Sequence, residues 1–343
     1  MTRHPRHSLA HLLGRLLVLA ALLLAAPAAR AQLSQTPSPD FPTSKDQVQL
    51  YNAPDGAIAG RVSIPDGKLG VLVQPEGREW REFRTHTLRI VAGVLVLGVT
   101  ALLAVFYLIR GTIRIRGGRS GRLVPRFDGF DRFTHWTTAV SFLILAVTGL
   151  IVTFGRPLLI PLLGHPAFTT LAEASKTLHN FFSVPFVVGL VLIFILWIRD
   201  NIPERADLVW LKTMGGLLSK QGEHAEAGRF NAGQKGIFWA VVLGGLGLAV
   251  TGFLLMVPFA LTGIAGMQII HIVHGVLAAL LVAVIIAHIY IGTIGMEGAF
   301  DAMGRGVVDE NWARDHHRRW YEEQVRGMAA AQGTPSPRHR AAE

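Results

Sequence analysis

Five stretches of the chain run almost unbroken in apolar residues, at about 87–109, 133–154, 171–198, 236–257 and 266–292. Each is close to the ~20 residues a helix needs to cross the hydrocarbon layer of a bilayer. A helix satisfies its own backbone hydrogen bonds without water, so the pattern predicts an all-α membrane protein with five spans. The polar segments between them are unequal. The loop from Arg110 to Arg132, the loop from Arg199 to Lys235 and the tail after Ile294 are rich in Arg and Lys, whereas the connections near 155–170 and 258–265 carry almost no positive charge. Positive residues gather on cytoplasmic loops. The basic loops and the C-terminus are therefore expected in the cytoplasm of a bacterium, and the segment before the first span on the periplasmic side of its inner membrane.

The N-terminal segment fits that topology. Arg3, Arg6 and Arg15 precede the apolar run Leu16 to Ala26, and Ala29-Arg30-Ala31 has the small-residue pattern of a signal-peptidase site. The same run also fits an uncleaved anchor, although it is short for a span. From Gln32 to about Arg84 short alternating stretches such as Arg61-Val62-Ser63-Ile64 are separated by turn residues such as Pro65-Asp66-Gly67. These are turn and short-strand signals, expected of an exported arm that orders against a partner, or of a flexible linker. The expected divisions are a signal peptide (1–31), a periplasmic arm (32–85), an extra membrane helix (86–110), a basic cytoplasmic loop (111–132), a four-helix core (133–293) and a cytoplasmic helix and tail (294–343).

Composition narrows the chemistry. The net charge is +10, from 33 Lys and Arg against 23 Asp and Glu. That excess lies in the blocks between spans rather than on one continuous face, which argues against nucleic-acid binding. Cysteine is absent, which removes disulfides, thiolate zinc sites, cysteine-ligated iron–sulfur clusters and covalent C-x-x-C-H haem attachment. A metal centre must draw on carboxylates or on the 14 histidines.

His135, His179, His271, His274 and His288 fall within or at the edges of the spans. An ionisable ring at that depth defaults to a functional hypothesis, the bland alternative being a hydrogen bond to a neighbouring helix. His274 and His288 are 14 residues apart on the last span, which at about 100° and 1.5 Å per residue places both rings on one face roughly 21 Å apart. His271 lies about 100° off that face. Threading the spans through the bilayer brings His179 and His274 to one level near the outer side, and His135 and His288 to another near the cytoplasm. Two facing histidine pairs between helices form a scaffold for two six-coordinate haems, non-covalent and of b type, suited to electron transfer. Trp136, Gly149, Phe181, Phe182, Gly189, Gly252 and Gly275 could admit or pack against a flat macrocycle, or serve ordinary helix packing. A single four-histidine metal site is disfavoured because its ligands would have to converge within a few ångströms. A proton relay lacks adjacent intramembrane carboxylates. Phe230-Asn231-Ala232-Gly233-Gln234-Lys235 opens the fourth span. Asn231 and Gln234, with the edge of His288, are candidates for binding a quinone head, and Asn231 alone also reads as a helix cap.

Several stretches together resemble the cytochrome b556, or gamma, subunits of membrane-bound formate dehydrogenases. They are Asp131-Arg132-Phe133-Thr134-His135-Trp136, Leu178-His179-Asn180-Phe181-Phe182, Asn201-Ile202-Pro203 with Trp210-Leu211, Phe230 with Asn231-Ala232-Gly233-Gln234-Lys235, Ile272-Val273-His274-Gly275, Ala287-His288-Ile289-Tyr290 and Trp312-Ala313-Arg314-Asp315-His316-His317-Arg318-Arg319-Trp320-Tyr321. The resemblance covers about 130–322 and implies a four-helix diheme bundle. It also implies inner haem ligation by His135 and His288, outer ligation by His179 and His274, and a quinone site near Asn231 to Gln234. The implied partners are an iron–sulfur (beta) subunit and a molybdenum or tungsten catalytic (alpha) subunit. The signal, arm and fifth helix depart from the shortest members and match longer ones. Related diheme cytochromes of hydrogenases or of thiosulfate and other sulfur oxidoreductases are the nearest alternative, and a haem-free histidine-relay transporter is a more distant one.

Overall fold

The computed structural model describes residues 77–213, 215 and 226–331; the expected signal peptide, most of the arm and the end of the tail lie outside them. Helix α1 (Leu88–Arg110) is entered through a helical turn, Gly77–Glu82, and a π-helical turn, Phe83–Thr87. Helix α2 (Gly129–Trp197) is followed by the short α3 (Arg205–Lys212), then α4 (Ala232–Met256) and α5 (Ile264–Tyr290). The C-terminal segment forms α6 (Ala299–Gly304), α7 (Glu310–His316) and α8 (Arg318–Ala331).

Helix α2 is 69 residues long. Straight, it would extend about 100 Å, some three times the hydrocarbon thickness. It breaks at Gly164, whose φ of 77° and ψ of 168° no L-residue adopts comfortably, between Pro161 and Pro166. The contacts of the two limbs show that the chain reverses there. Thr148 meets His179, the Phe142 and Phe186 rings lie 6.0 Å apart, and the Trp197 indole N–H donates to Asp131 over 2.7 Å. In each pair the two residues are nearly equidistant from Gly164, as in an antiparallel helical hairpin. The limbs approach closely where Gly189 crosses Thr138: a Cβ on Gly189 would fall 2.2 Å from the threonine Oγ1. The apolar spans expected at 133–154 and 171–198 are these limbs. The connection expected at 155–170 is itself helical apart from the break.

The first span also begins earlier than its apolar run. Its N-terminal turns carry Glu79, Trp80, Arg81 and Arg84 beyond the hydrophobic stretch, because apolarity marks where lipid begins and not where the helix begins. Trp80 donates its indole N–H to the Gln268 carbonyl at 3.3 Å. Helix α1 lies along α5, with Leu88 against Gly275 and both Phe106 and Tyr107 edge-on to Tyr290. Its remaining surface, including Val94, Leu97, Leu102 and Leu108, is exposed and apolar, suited to lipid.

At the Arg-rich end, the loop after α1 and the chain after α5 fold together into a cap. Strands β1 (Leu123–Pro125) and β2 (Val307–Asp309) pair antiparallel with Val124 opposite Val308. The Asp309 carboxylate accepts from the backbone N–H groups of Ser120, Gly121 and Asn311 at 2.9–3.1 Å. Beneath the ribbon the buried Arg126 guanidinium lies over Trp320 (4.7 Å), Phe127 (5.2 Å) and Trp312 (5.3 Å), a cation–π setting in low dielectric. It donates to the Arg229 carbonyl at 2.7 Å and to His317 Nε2 at 3.0 Å. The Asp131 carboxylate pairs with Arg229 at 2.8 Å, joining the cap to the first limb of α2.

The fully buried His317 is neutral on donor accounting. Arg126 can only donate to Nε2, so Nδ1 carries the proton and donates to the Gly228 carbonyl at 2.9 Å. Burial first, and then the Arg126 charge, hold its pKa well below the ordinary histidine value. The unfolded chain takes up a proton near pH 6.5 that the folded one refuses, so stability is lost as pH falls below about 6.5, by up to ~1.4 kcal/mol per pH unit for this group. Thermal unfolding of the detergent-solubilised protein at pH 7.5 and 5.5 should show the loss, and His317→Gln should reduce it; an unchanged pH dependence in the variant would contradict the assignment. Asp131→Ala should destabilise by about 3 kcal/mol because it strips partners from Arg229 and Trp197, with Arg326→Ala on the exposed face of α8 as the silent control in the same melt.

Candidate functional site

The hairpin and α5 set the site. His135 on the first limb faces His288 with ring centroids 6.2 Å apart, and His179 on the second limb faces His274 at 6.3 Å. Helix α5 thus contributes one ring to each pair, and each limb of α2 contributes the other. His271 takes no part: its ring faces Trp80 at 6.1 Å. The layer between the two pairs is filled by the buried Phe142, Phe186 and Leu281. Each lies seven residues from a paired histidine on its own helix, two turns along the same face.

Two imidazoles bonded end-on to one metal ion through nitrogens at about 2 Å have ring centroids a little over ~6 Å apart, which is the separation of both pairs. Among the described residues no group of three or more His, Asp or Glu side chains converges as a metal cage. Two protein ligands per site suit an ion whose remaining four positions are filled by a macrocycle. The glycines agree on the outer level. A Cβ on Gly149 would come within 3.5 Å of His179 Cε1, and one on Gly252 within 3.4 Å of His274 Cε1, so both leave clear a cradle beside the ring. Of the other aromatic and small residues expected near the rings, Gly189 and Gly275 serve helix packing, whereas Trp136 stands edge-on to the His135 ring at 5.2 Å and donates its indole N–H to the Met303 carbonyl at 3.0 Å.

Two threonines that sequence reasoning did not single out complete the outer pair. Thr148 Oγ1 lies 3.0 Å from His179 Nδ1, and Thr251 Oγ1 lies 2.9 Å from His274 Nδ1. Each immediately precedes a cradle glycine, so Thr-Gly recurs at 148–149 and 251–252. That repeated dipeptide was the available signal. At the inner pair His135 has no matching support: its Nδ1 is buried without a hydrogen-bond partner.

Asn231 and Gln234 form a reciprocal cap at the start of α4. Asn231 Oδ1 accepts from the Gln234 backbone N–H at 3.0 Å, and Gln234 Oε1 accepts from the Asn231 N–H at 3.1 Å. Both side-chain oxygens are used, and both side-chain NH₂ groups remain as donors. Neighbouring Lys235 is buried and bound by Glu204 (2.8 Å), Asp207 (2.9 Å) and the Ile202 carbonyl (3.1 Å). Arg319 and Lys235, both hydrogen-bonded to Glu204, hold its carboxyl down at about 2. This lattice fixes the entry to α4 against the cap.

Long apolar helices with imidazole pairs facing across them are the architecture of a membrane cytochrome b bundle. The family model for prokaryotic cytochrome b561 matches residues 126–306, over half of the sequence, and the chain belongs to that family. Membership brings b-type haem binding with it. The chain is also 30% identical over 217 residues to the nitrate-inducible formate dehydrogenase cytochrome b556(Fdn) subunit of Escherichia coli, a match spanning 59% of this chain and 92% of that protein. It is 30% identical over 203 residues to a second Escherichia coli formate dehydrogenase cytochrome b556 subunit, over 58% and 92% of the two chains. A third relative, the formate dehydrogenase cytochrome b556 subunit of Haemophilus influenzae, is 31% identical over 57% of this chain and 80% of its own.

Proposed function

We propose that this chain is the membrane-anchoring diheme subunit of a formate dehydrogenase, receiving electrons from a periplasmic iron–sulfur subunit and delivering them to membrane quinone. The observation that carries the reading is the presence of two imidazole pairs, separated by 6.2 and 6.3 Å, at two depths of one cytochrome b bundle. His135 and His288 would hold the inner haem, and His179 and His274 the outer one. Bound there, the b haems supply reversible one-electron carriage at two depths of the membrane. The protein's own part is to hold the imidazoles in fixed pairs and to keep the layer between them dry with Phe142, Phe186 and Leu281.

The Arg-rich cap is the cytoplasmic end by its charge. The break at Gly164 and the α4–α5 connection are then periplasmic, where the iron–sulfur subunit and its molybdenum or tungsten catalytic partner dock. Formate chemistry belongs to that partner. At the inner level Asn231 and Gln234 retain amide N–H donors for a quinone carbonyl, and cytoplasmic water supplies the two protons that accompany two electrons to quinol. Each electron moved inward against a negative-inside potential stores about 2.3 kcal/mol per 100 mV.

Purification of the intact complex, with haem quantitation and a formate-to-quinone assay, tests the proposal. His274→Ala and His288→Ala should each lose one of two haems and abolish quinone reduction. Full haem content and normal turnover in both variants would overturn it, and co-purification with a hydrogenase or sulfur-oxidoreductase catalytic subunit would overturn the choice of donor.

A further inference from the structure

The two threonines beside the outer histidines share one arrangement, repeated on two helices. The Thr148 hydroxyl lies 2.7 Å from the Ile144 carbonyl and 3.1 Å from that of Leu145; the Thr251 hydroxyl lies 2.7 Å from the Gly247 carbonyl and 3.3 Å from that of Leu248. A hydroxyl has one proton, and a carbonyl oxygen can only accept. With that proton committed to the preceding turn of its own helix, each Oγ1 offers a lone pair to the imidazole. His179 and His274 must therefore carry their protons on Nδ1 and donate them, which leaves Nε2 of both rings unprotonated. The glycine that follows each threonine lets the helix backbone pack closely against the Cε1 and Nδ1 edge of the ring, where the hydrogen bond is made.

We propose that Thr148 and Thr251 are positioning residues that fix the tautomer and orientation of the outer haem's two ligands and set that haem apart electronically from the inner one. The inference rests on the ligand assignment proposed above. A hydrogen bond donated from Nδ1 raises the donor strength of Nε2 and orients the ring, and removing such an outer partner commonly costs 10–100-fold in metal affinity or activity. A more basic ligand favours the ferric state, so the threonines hold the outer potential down. At the inner level His135 lacks the device, because its Nδ1 has no partner. Helix α4 carries none of the paired histidines, and Thr251 with Gly252 is its contribution to the outer site.

The test is a redox titration of the haem absorbance in membranes containing the full chain, comparing wild type with Thr148→Val, Thr251→Val and the corresponding Ser variants. Valine keeps the shape and removes the hydroxyl; serine restores the hydroxyl and removes the methyl. Each Val variant should move one haem component to higher potential and leave the other in place, and each Ser variant should return toward wild type. Selective loss of one haem from a Val variant, restored by Ser, also supports the proposal. Unshifted potentials in fully loaded Val variants, or equal shifts in Val and Ser, would overturn it. His179→Ala and His274→Ala run alongside: if neither removes a haem, the ligand assignment has failed, not the role of the threonines.

Discussion

An imidazole buried between membrane helices must place both of its nitrogens, and the outer histidine pair of this bundle is organised around that requirement. A ring nitrogen left without a partner in low dielectric costs several kcal/mol. At the outer level the accounting closes: each Nδ1 proton goes to a threonine, each threonine proton goes to its own helix, and each Nε2 keeps a free lone pair, in rings whose centroids lie 6.3 Å apart. Two rings then offer one lone pair each to a shared centre, with no third protein ligand among the described residues. That donor set suits a haem and suits a bare divalent ion poorly.

The rest of the fold keeps the rings in register. The break at Gly164 turns one long apolar segment into a hairpin, so His135 and His179 occupy opposite depths of adjacent helices. The heptad spacing from each paired histidine to Phe142, Phe186 or Leu281 makes a dry layer between the levels. At the Arg-rich end the pairing of Asp131 with Arg229 and Trp197 ties both limbs of α2 to the cap, and the Lys235 lattice fixes where α4 begins. The inner histidines therefore sit directly beneath a rigid polar lid, whereas the outer pair is steadied from within the bundle.

Much of this was legible in the sequence, for physical reasons. The cost of exposing backbone to lipid writes spans as apolar runs, so all five crossings could be read, and helical rise converts residue number into depth, so the two histidine levels could be separated. Around the helix His271 lies about 60° from His274 and about 100° from His288, enough to tell which of the two shares a face with His288. The helical character of 155–170 was hidden because prolines and a glycine ordinarily mark loops, and here they bend a helix instead. The cap was hidden for another reason: its ribbon joins three-residue strands distant in sequence, too short to carry a periodic signal. The threonine contacts span 31 and 23 residues and depend on helix phase across a hairpin. Asn231 shows the opposite limit, since its cap was predictable from sequence and the cap is what its side-chain oxygen forms.

The central claim is that two imidazole pairs in a thiol-free bundle each hold one b haem. Haem quantitation on the purified full-length chain, joined to its absorption and low-temperature electron paramagnetic resonance spectra, measures it most directly. The account predicts two haems per chain, extractable by acidified solvent and low-spin with both axial positions filled by nitrogen. A single haem, or a high-spin centre that binds carbon monoxide, would contradict it.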